Sequence, residues 1–453
     1  PLLRKLVLFA LPLALSSILQ QLFNAVDIAV LGQFATSQDQ AAVGCTSAVI
    51  NMFLNLFLGI SVGANVVIAT YIGQRDKEKV QASVHTAMLI ALISGFVMML
   101  VGFVTARPIL ELIQTPESIM PVAIMFLTAT IWGIPGQYTL TIGAAVFRSA
   151  KMVLIPLYVT GTACLLNVFG DLAFGLGWWG FPAYGAAGLA YSTLISVTVG
   201  AALMLFLLMR HGLFTRDSFP GWRWIKAGAP YLLKVAGPAF GTSFLWQTGY
   251  MVLYVITASL PFGRVNALAG LTTGLRVESI LFLPAVAFSM TASVLVGHAL
   301  GEGNRREAKR TLLATLGIAC AGMCCVGAAI WPWRMELAGL IAPDPAVQAE
   351  TVKYLSFNIM AVPFTVASVV LAGGLNGAGA TVYPMVSFSF AVWAVRLPIA
   401  WLFGHIIWQD ASGVFLSTFV SQVVMSLSLL WVTLRCNWTR FALTVRTHTC
   451  ASR

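Results

Sequence analysis

The sequence predicts an all-α membrane protein with twelve transmembrane helices in two pseudo-symmetric six-helix lobes. Three observations predict this class: an apolar composition, twelve apolar runs, and a repeat that relates the first six runs to the last six. Of 453 residues, 59% are hydrophobic and only 9% are charged, whereas soluble domains carry about 25% charged residues. A surface this apolar requires lipid as its solvent.

Each apolar run is long enough to cross a bilayer, because a hydrocarbon core about 30 Å thick needs about 20 residues in a helix. The runs span residues 6–31, 41–71, 84–105, 118–147, 153–177, 186–209, 231–260, 265–300, 311–331, 351–375, 382–407 and 413–434. Of the prolines inside them, we single out four as predicted kinks, because a proline within a helix removes a backbone hydrogen bond. These are Pro12, Pro135, Pro284 and Pro363.

The basic residues set the orientation. A net charge of +11 could indicate a nucleic-acid partner, but the Lys and Arg residues lie in connectors between apolar runs, so we expect a lipid bilayer and no nucleic acid. With the N-terminus in the cytoplasm, twenty basic residues fall on the cytoplasmic side and four outside. Cytoplasmic loops carry this excess. We therefore expect a multi-pass protein of the cell (inner) membrane with both termini in the cytoplasm.

An internal repeat divides the chain. Matching residues recur at shifts of 225 to 228, and the pairs are Pro12 with Pro238, Gly44 with Gly270, Gly73 with Gly301, Pro135 with Pro363, Pro156 with Pro384, and Gly188 with Gly413. Each half holds an even number of runs, so both halves enter the membrane in the same direction. The predicted organisation is an N-terminal lobe (1–209), a cytoplasmic linker (210–230), a C-terminal lobe (231–434) and a cytoplasmic tail (435–453).

Five ionisable residues remain inside the runs: Asp27, Asp171, Arg276, Glu278 and Arg396. A charge at the bilayer centre costs at least about 2.5–3.5 kcal/mol, so each one needs a partner, a cavity or a proton. Glu278 could meet a cationic substrate, or it could form a buried pair with Arg396 that only fixes helix packing. The residues leave these two alternatives open.

Two aspartates in the first lobe predict a cation site. Asp27 and Asp171 lie at similar depths, and Asn167 precedes Asp171 by four residues, which places both on one helix face. Their oxygens could hold Na⁺ or share a proton, since desolvation and a neighbouring carboxylate both favour the protonated form. The alternative is that an aspartate pairs only with a helix end or an arginine. Thr193 could add a hydroxyl or simply permit close packing.

Six motifs carry a resemblance to a known family. They are Pro12…Asp27-x-x-x-x-Gly32, Gly73-Gln74-Arg75-Asp76, Phe147-Arg148-Ser149-Ala150, Asn167-x-x-x-Asp171, Gly301-Glu302-Gly303-Asn304 and Asn376-Gly377-Ala378-Gly379. In this order and spacing the chain resembles the multidrug and toxic compound extrusion (MATE) family from Leu6 to Leu434. The resemblance implies the MATE fold with a central cleft, and antiport of mainly cationic amphiphilic drugs against H⁺ or Na⁺ by alternating access.

The resemblance also implies roles for particular residues. Asp27, Asn167 and Asp171 correspond to the family's cation site in the first lobe, and Pro12 corresponds to a helix hinge. The stretches Phe244–Gln247 and Pro363–Val366 lack the acids of the NorM-like branch, so the chain is closer to the DinF-like branch. Aromatic and polar residues where the family's cleft lies are substrate candidates, because aromatic faces attract organic cations; the alternative is that they face lipid or pack. These are Trp246, Gln247, Tyr250, Tyr138 and Phe282.

Two other functions compete with an exporter. A flippase for lipid-linked precursors belongs to the same superfamily, but it usually has fourteen spans and a basic cavity, whereas this chain has twelve runs and an acidic first lobe. A membrane-embedded enzyme would need a histidine cluster, a nucleophile–base pair or a phosphate-binding loop, and the runs contain none. We therefore expect a monomeric secondary transporter with no catalytic residue, no cofactor beyond its coupling ion, and no metal site beyond Na⁺.

Overall fold

The computed structural model describes residues 2–34, 37–112, 115, 117–215, 222–341 and 344–441, and within them the regular structure is helical, with no strand. The first nine helices are α1 (Leu2–Phe34), α2 (Ser37–Gly73), α3 (Lys77–Leu112), α4 (Met120–Ile131), α5 (Ile134–Ser149), α6 (Leu154–Gly170), α7 (Ala186–Arg210), α8 (Trp222–Ala258) and α9 (Arg264–Leu281). The remaining helices are α10 (Leu283–Gly301), α11 (Arg305–Ile330), α12 (Arg334–Ile341), α13 (Pro345–Gly377), α14 (Val382–Ser389), α15 (Leu397–Trp401) and α16 (Ala411–Arg435).

The predicted class, an all-α membrane protein, is confirmed. Among the described residues, ten helices are long and apolar enough to cross a membrane, or up to eleven if the bent pair α4–α5 is one span. The predicted number of twelve is therefore close to the observed one. The seventh predicted run coincides with α8, a continuous helix of 37 residues that is not among those ten.

Two predicted runs are each broken into two helices at a proline. Run 118–147 comprises α4 and α5, which are bent by 43° just before Pro135. Run 265–300 comprises α9 and α10, which meet at Phe282 two residues before Pro284. The physical reason is that a proline inside a helix loses one backbone hydrogen bond and clashes with the preceding turn. In contrast, Pro12 and Pro363 lie within the continuous helices α1 and α13.

Wider π-helical turns interrupt the same run in both repeats. Asp171–Gly175 continues α6 as a π-helix, in which Leu176 N donates to Asp171 O at 3.2 Å. In the repeat partner of this run, the segments Phe390–Arg396 and Leu402–Ile407 are π-helical on either side of α15. Such turns are rare in proteins, and those that do occur are often at functional sites.

The chain forms two compact units. One, the first-half unit, consists of Val7–Ala64 and Val80–Ser243, and the other, the second-half unit, consists of Pro1–Leu6, Asn65–Lys79 and Phe244–Arg453. The lobe limits read from the sequence stay a prediction. Residues 216–221 of the predicted linker and 442–453 of the predicted tail lie outside the described residues.

Each unit has its own apolar core. In the first-half unit, Val30, Phe126 and Leu189 are buried together. In the second-half unit, a larger cluster joins α10, α11, α13 and α16 through residues such as Val296, Leu312 and Val370. Burying an aliphatic side chain of this kind contributes about 1.5–3 kcal/mol in water; in lipid, packing takes over that role.

Equivalent residues of the two repeats meet inside the second-half unit. Asn65 Nδ2 of α2 donates to Ser293 Oγ of α10 at 3.1 Å, and both side chains are buried. The two residues are 228 positions apart, the same shift that relates Gly73 to Gly301. Those glycines also approach closely, because a Cβ on Gly73 would lie 3.1 Å from the Gly301 Cα. The repeat seen in the sequence is therefore also a structural pairing of α2 with α10.

Candidate cation-coupling site

The first-half unit brings together the two aspartates and the asparagine predicted from the sequence. Asp27 lies on α1, Asn167 lies in the last turn of α6, and Asp171 opens the π-helical turn that follows. With its amide nitrogen facing the carboxylates, Asn167 donates to Asp27 Oδ1 at 2.9 Å and to Asp171 Oδ2 at 3.2 Å. One amide thus connects two acidic groups from two separate helices.

Helix α7 completes the site from a third direction. In the same orientation of the amide, Thr193 Oγ1 donates to the side-chain oxygen of Asn167 at 3.3 Å. Ser192 Oγ donates to the backbone oxygen of Asn167 at 2.8 Å and is buried. Of the two roles left open for Thr193, the structure therefore gives it a hydrogen bond to the site. Ser192 was missed, although it stands beside Thr193 in the repeated motif Gly188-x-x-x-Ser192-Thr193.

Glycines allow α7 to approach this closely. A Cβ at Gly170 would overlap Ser192 Oγ and would lie 2.9 Å from its Cβ, and a Cβ at Gly188 would overlap the backbone oxygen of Phe174. Small residues at helix contacts let backbones approach in membrane proteins. The positions of Asn167 and Ser192 therefore depend on Gly170 having no side chain.

Burial differs between the two acids. Asn167 and Asp171 are 0% exposed, whereas Asp27 is partly exposed. Asp171 Oδ1 is buried and has no hydrogen-bond partner among the described residues. Two close carboxyl groups, one of them fully buried, cannot both carry a charge without a large cost. The arrangement can therefore hold a proton or another small cation between them.

The second-half unit contains another polar cluster, formed by Glu278, Tyr354, Arg396 and Ser421. The Tyr354 hydroxyl of α13 donates to Glu278 of α9. Arg396 is 1% exposed, and its Nε donates to Ser421 Oγ at 2.8 Å. Among the described residues no ion pair within 4 Å joins Glu278 to Arg396. Of the two alternatives left open for Glu278, a direct ion pair with Arg396 is therefore not observed, and each of the two groups has a hydroxyl partner.

The remaining substrate candidates have different surroundings. Trp246 and Tyr250 flank the Arg396 guanidinium, with ring centroids 5.0 and 5.1 Å from its Cζ. Tyr138 is buried in the first-half unit, where its hydroxyl donates to Phe53 O at 3.0 Å and its ring stacks on Phe57. The structure gives Tyr138 a packing role. Gln247 is exposed, and Phe282 lies at the break between α9 and α10.

Comparison with known proteins identifies the family. The MatE family model matches residues 12–172 and 238–402, which is most of the chain and one match in each repeat. The chain belongs to the MatE family. The resemblance drawn from the sequence motifs is confirmed, and membership makes the chain a multi-pass membrane transporter and not an enzyme.

Relatives of this MatE transporter extend over nearly its whole length. It is 27% identical over 409 residues to the probable multidrug resistance protein NorM of Thermotoga maritima, covering 88% of this chain and 85% of the relative. It is 26% identical to the multidrug resistance protein PmpM of Pseudomonas aeruginosa, covering 91% and 86% of the two chains. A crystal structure of MATE in the bent conformation matches with a TM-score of 0.87 at 20% identity over 96% and 95% of the two chains. This last likeness shows the fold.

Proposed function

We propose that the protein is a secondary active multidrug efflux transporter that exchanges organic, mainly cationic, amphiphilic compounds for a cation by alternating access. The observation that carries this proposal is the pair of acids, Asp27 and Asp171, held around the Asn167 amide within the membrane-spanning helices. Intramembrane acids of this kind mark ion pathways. The names of the NorM and PmpM relatives support the multidrug substrate class.

The hydrogen bonds favour H⁺ over Na⁺ as the coupling ion. The Asn167 amide nitrogen faces both carboxylates, and its oxygen accepts from Thr193. In this arrangement the amide supplies no oxygen toward the space between the acids, so Na⁺ there would lack the Asn167 side-chain oxygen as a ligand. A proton needs one acceptor, and Asp171 Oδ1 is an unpartnered one.

Coupling requires that the cation bind one state of the transporter more tightly, because a ligand shifts an equilibrium only by its differential affinity. Asp27 is the partly exposed acid and therefore receives the cation first. Helix α1 carries both Asp27 and the buried Pro12. We propose that protonation of the acids changes the bend of α1 at Pro12 and that this change drives the transporter between its states; coupling then lies in the first lobe, as the resemblance to the DinF-like branch implies.

The substrate contacts belong to the second-half unit in this proposal. Glu278 is partly exposed and carries the charge that an organic cation requires. Trp246 and Tyr250 lie near the same cluster and are aromatic candidates, since an aromatic face is worth roughly 0.5–2 kcal/mol to a bound cation; the same two rings also flank the Arg396 guanidinium. Gln247 and Phe282 are further candidates.

Asp27→Asn and Asp171→Asn test the coupling role. Each variant mimics the protonated acid permanently, so we expect loss of gradient-driven dye efflux while the folded protein still binds dye. The matched control is Asp410→Asn, which neutralises an acid outside the apolar helices and should leave efflux unchanged. Wild-type efflux in both site variants, at equal expression, would contradict the proposal.

Reconstituted protein separates the two ions. Efflux of a cationic dye from proteoliposomes is measured with a pH gradient alone and with a sodium gradient alone. We expect the pH gradient to drive transport and the sodium gradient to be ineffective at constant pH. Transport driven by a sodium gradient alone would identify Na⁺ as the coupling ion, and the proposed role of the acidic site would still stand.

A further inference from the structure

A basic cavity lies in the second-half unit, between the start of α11 and the segment that follows α16. Its volume is about 350 Å³, and four basic side chains line it together with Trp438. The four are Arg305, Arg306, Lys309 and Arg310. Because they lie within the first six residues of α11, the cavity sits where two apolar helices end, which is the depth of lipid headgroups.

Within the described part of the chain, no acid forms an ion pair with the charges in this cavity. Arg305, Arg306 and Arg310 are exposed. Two acids, Glu302 and Glu307, lie nearby in sequence, but neither lines the cavity. Lys309 Nζ donates to Leu434 O at the end of α16, at 3.4 Å.

The first repeat shows that the fold does not need these charges. At the shift of 228, the four basic residues correspond to Lys77, Glu78, Gln81 and Ala82, whose charges cancel. Gln81 Nε2 donates to Gly212 O at 3.1 Å beyond the end of α7, much as Lys309 contacts the end of α16. The same helix contact is therefore made with a neutral side chain in one repeat and a cation in the other.

The space itself also differs between the repeats. In the first-half unit the ring of His85 stacks on Phe214 with centroids 4.3 Å apart, and His85 Nε2 contacts Thr215 O at 2.8 Å. The corresponding positions in the second repeat are Leu313 and Thr439, and Thr439 lines the cavity. At the shift of 225, the Phe214 ring of the first repeat is thus replaced by the small side chain of Thr439 beside four cations.

We propose that this cavity binds the phosphate headgroup of an anionic phospholipid. Arginine forks match phosphate oxygens, and basic pockets between transmembrane helices bind anionic headgroups. The Trp438 ring is buried beside the cavity, and its Nε1 donates to Thr433 O at 3.0 Å. The indole therefore gives the cavity a fixed aromatic wall next to the start of α11 and the end of α16.

The test replaces cavity residues by their counterparts in the first repeat: Arg306→Glu, Lys309→Gln and Arg310→Ala together. Binding of phosphatidylglycerol is measured by native mass spectrometry and by the thermal stability of the detergent-purified full chain, with phosphatidylcholine as the neutral lipid. Each cation near an anionic lipid contributes a factor of about five. The triple variant should therefore weaken phosphatidylglycerol binding at least a hundredfold and leave phosphatidylcholine binding unaffected.

A control variant neutralises basic residues of the first repeat instead, with Arg75→Gln and Lys77→Gln, which removes two positive charges but no cavity residue. Arg306→Lys with Arg310→Lys keeps the charge and should retain binding, which separates loss of the site from misfolding. Equal loss in the first-repeat control would overturn the proposal, and so would equal binding of both lipids by the wild type. If inorganic phosphate protects as well as the lipid at equal concentration, the site binds free phosphate and the lipid assignment is wrong.

Discussion

At the scale of single residues, buried polar groups differ in how fully they are hydrogen-bonded, and this difference decides whether they stabilise the fold. Asn167 satisfies two carboxylates with one amide. Arg396 is different, because its Nη1 and Nη2 are buried and make no hydrogen bond of normal geometry to a described residue. An unmatched buried donor costs about 1–3 kcal/mol, and more when it is charged. The guanidinium therefore contributes packing between Trp246 and Tyr250 at an electrostatic cost.

Replacement of Arg396 should separate packing from charge. Arg396→Met keeps much of the side-chain volume, and removing a poorly matched buried charge is often neutral or stabilising, so we expect a melting temperature at or above that of the wild type. Arg396→Ala leaves a cavity and should lose about 2–5 kcal/mol. Both are measured by thermal unfolding in detergent. Equal destabilisation by Met and Ala would instead show that the charge is needed beside Glu278.

At the scale of helices, the repeats share their way of starting a helix. Asp76 precedes α3 and accepts from Lys79 N at 3.1 Å, and Asn304 precedes α11 and accepts from Glu307 N at 3.0 Å. Both side chains satisfy a backbone donor that the first turn leaves free. Burial alone would raise the pKa of Asp76, but the hydrogen bonds and charge of Lys79 outweigh it and hold that pKa below its ordinary value.

Substitution of Asp76 should separate the contribution of its capping hydrogen bond to stability from the contribution of its charge. Asp76→Ala should lose about 1 kcal/mol, whereas Asp76→Asn, which copies Asn304, should keep most of the cap. A lowered pKa means that the charge stabilises the fold above the ordinary aspartate value of about 3.9, and that this part is lost as the pH falls below it. The wild type should therefore be more stable than Asp76→Asn at pH 7, and the gap should close below about pH 4. A gap that persists at low pH would rule out the charge as its source.

The approach of α6 to α7 gives a second prediction at this scale. Gly170→Ala would place a methyl group against Ser192, so the helices must separate and Asn167 must shift. Overpacking of this kind costs typically 1–3 kcal/mol, and we expect slower gradient-driven efflux as well. Gly161→Ala is the matched control on the same helix, since its new Cβ would only touch Leu19 Cδ1 at 3.8 Å. Equal effects of both variants would mean that helix propensity, and not the contact, is responsible.

At the scale of the whole molecule, the charge distribution predicts the topology. Single cysteines are introduced at Lys77, Arg306 and Asp410 after the seven native cysteines are replaced by serine. A membrane-impermeant thiol reagent should label the first two only from the cytoplasmic side and the third only from outside. Labelling of Asp410→Cys from the cytoplasm would reverse the predicted orientation of the last helices.

The sequence by itself determined the membrane class, the repeat and the residues of the acidic site. Hydropathy and the scarcity of intramembrane charge are local properties and indicate Asp27 and Asp171, and the four-residue spacing to Asp171 adds Asn167. The motif Ser192-Thr193 was also visible, but only the structure showed that both hydroxyls reach Asn167. Whether the Ser192 and Thr193 hydroxyls reach Asn167 depends on which face of α7 packs against α6.

Only the tertiary structure decided the pairing of distant residues. Tyr354 lies 76 positions from Glu278. No spacing along the chain indicates that the Tyr354 hydroxyl, and not the Arg396 guanidinium, contacts Glu278. The burial of Tyr138 against Phe53 and the open cavity beside Trp438 likewise depend on how helices pack. Hydrophobic pattern fixes which segments enter the membrane, whereas the fit of side chains between helices fixes which polar groups meet there.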